Sequence, residues 1–214
     1  MSEVIDWAED MEARLLEATL AYAPRLGWTS RAIAAGARDV GLSSAEAELL
    51  LPHGPRDLAA LMARRHDQRA MERLTHVDSV TLKIRERIRL GVLTRCDAAM
   101  EDEPATRRWA GFLALPPHVP LALRLTWASA DALWRWAGDT ATDENHYSKR
   151  ALLGEILIST LALRITADAP TAAGHLDGRI EAVMAFERWK AGARPGTWAA
   201  GLATRLGGLR YGRA

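Results

Sequence analysis

The spacing of histidine, cysteine and carboxylate residues limits what chemistry the chain can carry. Six histidines stand at positions 53, 66, 76, 118, 146 and 175, with a single cysteine at 96. Asp143 and His146 lie three apart, as in one half of a di-iron carboxylate site. Such a site needs a second pair and further glutamates on facing helices, and the sequence offers neither. There is no glycine-rich phosphate loop, no G-x-S-x-G elbow, no H-E-x-x-H and no paired cysteine. Cys96 has only Arg95 as a cationic sequence neighbour and reads as a buried structural thiol. These patterns favour a protein without a catalytic constellation, resident metal or cofactor.

The densest polar chemistry lies between residues 127 and 150, where three of the eight tryptophans fall within ten positions. Trp127, Asp131 and Trp134 recur at i, i+4 and i+7, so one helical face displays two indoles around a carboxylate. Asp143 and Asn145 are then candidate N-caps, followed by Tyr147, Lys149 and Arg150 in the next first turn. Cations there oppose the helix dipole, so another interaction must hold them. Aromatics beside arginine have the composition of a protein-interface hot spot. A helix hairpin with core tryptophans and solvated charges fits the same spacing.

The elements that must position these residues are helical throughout. Ala, Leu, Arg and Glu dominate, and no run alternates apolar and polar residues as a strand would. Breaks fall at Pro24 to Gly27, Pro52 to Pro55, Pro104, Pro116-Pro117, Gly138, Pro170 to Gly174 and Pro195-Gly196. The pattern between them predicts about ten helices, over 4–23, 29–38, 44–51, 56–75, 79–101, 104–114, 119–138, 145–168, 175–192 and 197–209. Ser43 and Glu46 form a capping box, Thr29 caps the preceding helix, and Pro55 and Pro120 suit first-turn positions. The 214 residues are 49% apolar and 26% charged, enough for a sizeable all-α core. Net charge is +1, yet the 27 residues after Glu187 carry +6 and the first 187 carry −5. Such segregation marks a tail with its own partner.

Residues 27–51 read as helix, tight turn and helix, with Gly41 permitting the turn and Ile33 and Ala37 facing inward. The pattern resembles the N-terminal region of TetR-type repressors. A helix that reads DNA needs bases or small polar groups, whereas Ser43 to Leu51 contains Glu46 and Glu48 and no base. The expectation is a retained scaffold that binds no nucleic acid. The alternative is a TetR-family transcriptional regulator that senses an apolar ligand.

Gly27-Trp28-Thr29 through Gly41-Leu42-Ser43, the Leu115-Pro116 break, Trp127…Asp131…Trp134, and Arg179-Ile180 through Met184 with Phe186-Glu187 together resemble the ninth coenzyme Q biosynthesis accessory protein family. The most specific segment is Ala137-Gly138-Asp139-Thr140…Thr142-Asp143…Asn145…Tyr147…Lys149-Arg150, and the likeness runs over about residues 15–190. It implies a TetR-like all-α fold and a site for isoprenoid lipid or a quinone precursor. It also implies a non-catalytic role beside the di-iron hydroxylase of demethoxyubiquinone. By position, Asp131, Trp134, Asp143, Tyr147 and Arg150 would meet that hydroxylase. TetR-like folds pair through their last long helices, which implies a homodimer through 145–168 and 175–192. The sequence departs from the family at Glu144 and His146, where aromatics are common, at Ser148 for a usual Thr, and at Glu155 for a small or apolar residue.

Apolar periodicity suggests where a lipid would lie. Ile84, Ile88 and Val92 form one face, and Leu121, Leu125 and Ala128 another. Leu153, Ile156, Leu157, Thr160 and Leu161 crowd more than one side of a helix that must be central. The expected lining is Ile88, Val92, Leu125, Leu153, Leu157 and Leu161, with abundant Ala and Gly leaving room between helices. Glu155 would be costly there unless hydrogen-bonded or neutral. In the tail, Trp198, Leu202, Leu206 and Leu209 share one stripe with Arg205 at its edge. That composition suits an amphipathic helix lying in a membrane interface. The expected organisation is a helix-turn-helix segment over 1–55, a lipid and partner unit over 56–192, and a membrane-contact tail over 193–214. Met1-Ser2-Glu3-Val4-Ile5-Asp6 is acidic where a leader is basic, so the expected place is cytoplasmic, peripheral on the inner membrane face, in a bacterial member.

Overall fold

A computed structural model describes residues 2–139 and 144–192. Among these residues there are ten α-helices and no strand. They are α1 (Ser2–Leu20), α2 (Ala23–Leu26), α3 (Ser30–Asp39), α4 (Ser44–Leu50), α5 (Pro55–Thr75), α6 (Ile84–Met100), α7 (Glu103–Leu113), α8 (Val119–Trp136), α9 (Glu144–Thr166) and α10 (Ala169–Gly192). The all-α expectation holds. The sequence-predicted helix over 197–209 lies outside the described residues.

The local start signals act as read. Thr29 Oγ1 accepts from the Ala32 amide, and Ser43 and Glu46 exchange both bonds of a capping box. Those bonds, led by the Ser43 hydroxyl, lower the Glu46 pKa. Gly41 takes the left-handed backbone, φ 76°, that the turn after α3 requires. Pro55 and Pro120 both sit in first turns.

Three boundaries differ from the periodicity reading. The predicted 4–23 helix stops at Leu20, and Pro24 starts the separate turn α2 instead of ending a helix. The predicted 79–101 helix begins only at Ile84; Asp78 draws Val80 into a short 3-10 turn first, and the Glu86 carboxylate then caps the Lys83 amide. Pro170 to Gly174 is no break. Asp168 accepts from the Thr171 amide at 2.8 Å, so Pro170 falls in the first turn of α10, where its missing N–H costs nothing.

One continuous core runs from Met11 and Leu15 of α1 to Leu176 of α10. α1 lies against α3 and α5, α5 against α6 and α8, and α9 against α6, α8 and α10. The α1–α3 contact is close: a Cβ on Gly36 would stand 2.8 Å from the Thr19 backbone nitrogen. Indole N–H groups tie elements distant in sequence, with Trp28 donating to Pro55, Trp109 to Ala59 and Trp136 to Leu74 main-chain oxygens at 3.0–3.1 Å. The predicted centrality of 145–168 is therefore met by α9. The other faces are less complete, since Ile84 and Ala128 are exposed. Cys96 is buried, and desolvation pushes its thiol up to about 12, as a structural cysteine requires.

Candidate functional site

The junction of α8 and α9 is held by charge. α8 ends with the Asp139 amide donating to Trp134 oxygen and the Gly138 amide to Arg135 oxygen, with Gly138 at φ 89°. This terminator turns the chain so that Asp139 meets α9. Arg150 on α9 donates to Asp131 Oδ1 at 2.6 Å, Asp139 Oδ2 at 3.1 Å and the His146 carbonyl at 3.2 Å. Lys149 Nζ lies 2.6 Å from Asp139 Oδ1 and 5.4 Å from the centre of the Trp134 ring. Trp134 in turn donates its indole N–H to the Lys149 carbonyl. Burial works to raise the Asp139 carboxyl, but the Lys149 and Arg150 bonds outweigh it and hold the pKa below the usual carboxylate value. Those bonds hold Lys149 and Arg150, which stand in the second turn of α9 and not, as the sequence suggested, in its first turn, where the helix dipole opposes cations most. Outside the clamp, Tyr147 is 66% and Trp127 36% exposed, their rings 6.0 Å apart.

A cleft of about 440 Å³ opens between α7, α8 and α9, with α5 and α6 behind it. Its apolar wall includes Trp109, Leu113, Leu125, Leu157, Leu161 and Ile165. Small residues, Ala110, Gly111 and Ala122 among them, keep the helices from filling it. Its volume falls within the range of ligand sites, about 300–1,000 Å³. Behind it, Arg95 on α6 donates through Nε to Asp67 Oδ1 at 2.5 Å, and Ser129 on α8 donates to the same oxygen at 2.7 Å. His66 is wholly buried edge-on to Trp109; desolvation first, then Arg95, Arg69 and Arg65, push its pKa well below the ordinary imidazole value. No group of three or more potential metal ligands occurs among the described residues.

Two family models match this chain. One, described as COQ9, covers residues 119–187, and the other, "Ubiquinone biosynthesis protein COQ9, N-terminal domain", covers residues 8–38. Among curated proteins, the "Ubiquinone biosynthesis protein COQ9, mitochondrial" of Bos taurus is 31% identical over 76% of this chain and 53% of its own length. The Rattus norvegicus protein of that name is 31% identical over 82% of this chain and 59% of its own length, and the Homo sapiens one matches 76% and 53% at 31%. The chain belongs to the COQ9 family. It spans a little over half the length of these relatives. The 119–187 match takes in all of α8 and α9 and the larger part of α10, and so both the clamp and two walls of the cleft.

In this COQ9-family chain the sequence-predicted residues divide. Asp131, Trp134 and Arg150 come together around Asp139 and Lys149, but Arg150 has only 2% of its side chain exposed and acts from beneath the surface, while Tyr147 lies outside that clamp against Trp127. Asp143 lies outside the described residues, as do Trp198, Leu202, Arg205, Leu206 and Leu209 of the tail. Leu125, Leu157 and Leu161 line the cleft. Ile88, Val92 and Leu153 are core residues outside its lining. Glu155 is not in the lining either: it is exposed and pairs with Arg179 at 2.6 Å. Periodicity alone missed the α7 wall and Arg95. The available signal was the small-residue composition of α7 around Trp109. No helix among the described residues is long and apolar enough to cross a membrane.

Proposed function

We propose that the protein is a non-catalytic accessory of ubiquinone biosynthesis. It takes an isoprenoid quinone precursor into the α7–α8–α9 cleft and presents it to the di-iron hydroxylase of demethoxyubiquinone at a membrane. The observation that carries this reading is the apolar cleft beside the family-matched helices. Each 100 Å² of apolar ligand surface it removes from water contributes about 2.5 kcal/mol, so an isoprenoid chain needs no charged anchor. Tyr147 and Trp127 supply the exposed aromatic surface for the hydroxylase, with Asp131, Trp134 and Arg150 beneath it, and Asp143, outside the described residues, is assigned to the same contact by its position in the sequence.

In this reading residues 1–55 are a TetR-like scaffold, 56–192 carry ligand and partner, and α9 and α10 pair two copies. The exposed side of α4 bears Glu46 and Glu48 and no base, which disfavours the regulator reading. Residues 193–214 would rest on the inner face of an anionic membrane, each Arg near the surface adding about 1 kcal/mol. The test is mass spectrometry of lipid extracted from the purified full chain. A prenylated phenol or quinone in near-stoichiometric amount is expected. Protein that carries no lipid, or only bulk phospholipid, overturns the reading.

A further inference from the structure

The connection between α5 and α6 holds two apolar side chains in solvent. Val80 is 82% exposed, the highest value among the large hydrophobic residues described, and Ile84, four positions on, is 48% exposed. Lone apolar residues at a surface are ordinary, but these two share one turn, and that turn is firmly held. The Asp78 carboxylate accepts from the Val80 amide at 3.1 Å, and the Asp78 carbonyl accepts from the Thr81 hydroxyl at 2.8 Å. Arg87 donates to the Leu82 carbonyl at 3.0 Å, and the Glu86 carboxylate accepts from the Lys83 amide at 2.8 Å. Both carboxylates of the segment are thus turned onto its backbone. Lys83 and Arg85 are exposed, and neither has an ion-pair partner among the described residues.

We propose that this turn is a membrane-contact site, in which Val80 and Ile84 enter the interface of an anionic bilayer and Lys83 and Arg85 meet its headgroups. An exposed apolar tip beside unpaired cations complements such a surface in both hydrophobicity and charge. It suits a protein partner poorly. The two side chains expose on the order of 200 Å², where a stable complex buries about 800 Å² on each side, and lysine is depleted from such interfaces. The position in the fold agrees. Asp97 of α6 pairs with Arg164 in the last turn of α9 at 2.7 Å, and Arg89, two turns before Asp97, pairs with Asp177 of α10 at 2.6 Å. α10 therefore runs antiparallel to α6, toward this turn, before residues 193–214 follow it in the chain. The site is additional to the membrane contact proposed for those residues, and it does not depend on the cleft. Each contact alone is weak, since stable attachment takes two such signals.

The test attaches an environment-sensitive NBD fluorophore to the full chain through Val80→Cys, with Leu49→Cys on α4, 77% exposed in the native chain, as the control. Native Cys96 is buried and its thiol is pushed up to about 12, so it takes no label in the folded protein. The probe is vesicles of equal parts phosphatidylcholine and phosphatidylglycerol. The label at position 80 should shift to shorter wavelength and be quenched by doxyl-labelled lipid, and the label at 49 should do neither. Lys83→Gln combined with Arg85→Gln should weaken co-sedimentation with the vesicles roughly 25-fold at low salt, about fivefold for each charge. Vesicle binding with a silent label at 80, or unchanged binding of the charge variant, overturns this site and leaves the contact of residues 193–214 standing. A chain that does not bind the vesicles at all overturns both. A shift at 80 without vesicles that grows with protein concentration makes the turn a contact between copies and overturns the membrane assignment.

Discussion

Arg150→Met is the most informative single change, because it separates a structural clamp from a partner contact. Methionine keeps the apolar stem and removes the fork that holds Asp131, Asp139 and the His146 carbonyl. Arg150 has 2% of its side chain exposed and Asp139 7%, so bulk water cannot replace what is lost. Stripping one member from a wholly buried ion pair costs about 3–5 kcal/mol. Here Asp139 keeps Lys149, and Asp131 keeps Arg135 at 2.8 Å, so neither carboxylate is abandoned. The expected loss is therefore about 2–4 kcal/mol, a large share of the roughly 5–15 kcal/mol that stabilises a domain. Urea melts at neutral pH measure it, and far-ultraviolet circular dichroism checks the helices.

The pH dependence gives a second reading from the same variant. The native Asp139 pKa lies below its unfolded value, so the clamp's contribution is complete above that unfolded value, about 3.9. It is lost as pH falls through the native pKa. Wild type and Arg150→Met should accordingly differ fully at pH 7 and converge in acid below about pH 4. A loss under about 1 kcal/mol at pH 7, or a difference that does not shrink in acid, refutes the clamp. Weakened hydroxylase binding with unchanged stability would make Arg150 a direct contact instead.

His66 is kept neutral in the fold but takes a proton when unfolded, so stability should fall by up to about 1.4 kcal/mol per pH unit below about pH 6.5. In melts at pH 7, 6 and 5, His66→Gln should flatten that slope; equal slopes would count against it. Gly36→Ala forces a Cβ against Thr19 and should destabilise by about 1–3 kcal/mol, whereas an unchanged melting temperature would mean that α1 and α3 can separate freely. Tyr147→Ala should weaken hydroxylase binding by more than about 1 kcal/mol without altering stability, while Trp134→Ala, which also breaks the bond to Lys149, should lower both. Calorimetry on both variants decides, and unchanged affinity for Tyr147→Ala removes this surface from the interface. For the tail, the full chain should float with anionic liposomes and a chain ending at Ala193 should not. Equal flotation of the two, or none for the full chain, removes the membrane-contact assignment.

What the sequence alone determined is what acts within a few residues. The Thr29 cap, the Ser43–Glu46 box, the first-turn prolines and the Gly41 turn all arise from short-range sterics and hydrogen bonds, and each is present as read. The long apolar periodicity of α9 likewise required several neighbours, and α6, α8 and α10 supply them. Where the reading slipped, the same short-range rules allowed two outcomes: proline both ends helices and begins them, as at Pro24 and Pro170, and Asp78 starts a 3-10 turn where periodicity read the first turn of α6.

The candidate site depended on partners far apart in the chain. Asp67, Arg95 and Ser129 come from α5, α6 and α8, and no spacing rule links an acceptor to donors 28 and 62 positions away. Arg150 had the composition of a surface hot spot, yet two aspartates that helix packing brings to it, from α8 and the turn after it, draw it inside. Periodicity likewise could not tell Leu157, on the cleft wall, from Leu153, in the solid core, because both face inward on one helix. Which inward residues touch one another and which face a void depends on how α7, α8 and α9 are set against each other. That arrangement follows from the sum of side-chain volumes over the whole core, a quantity no local window contains.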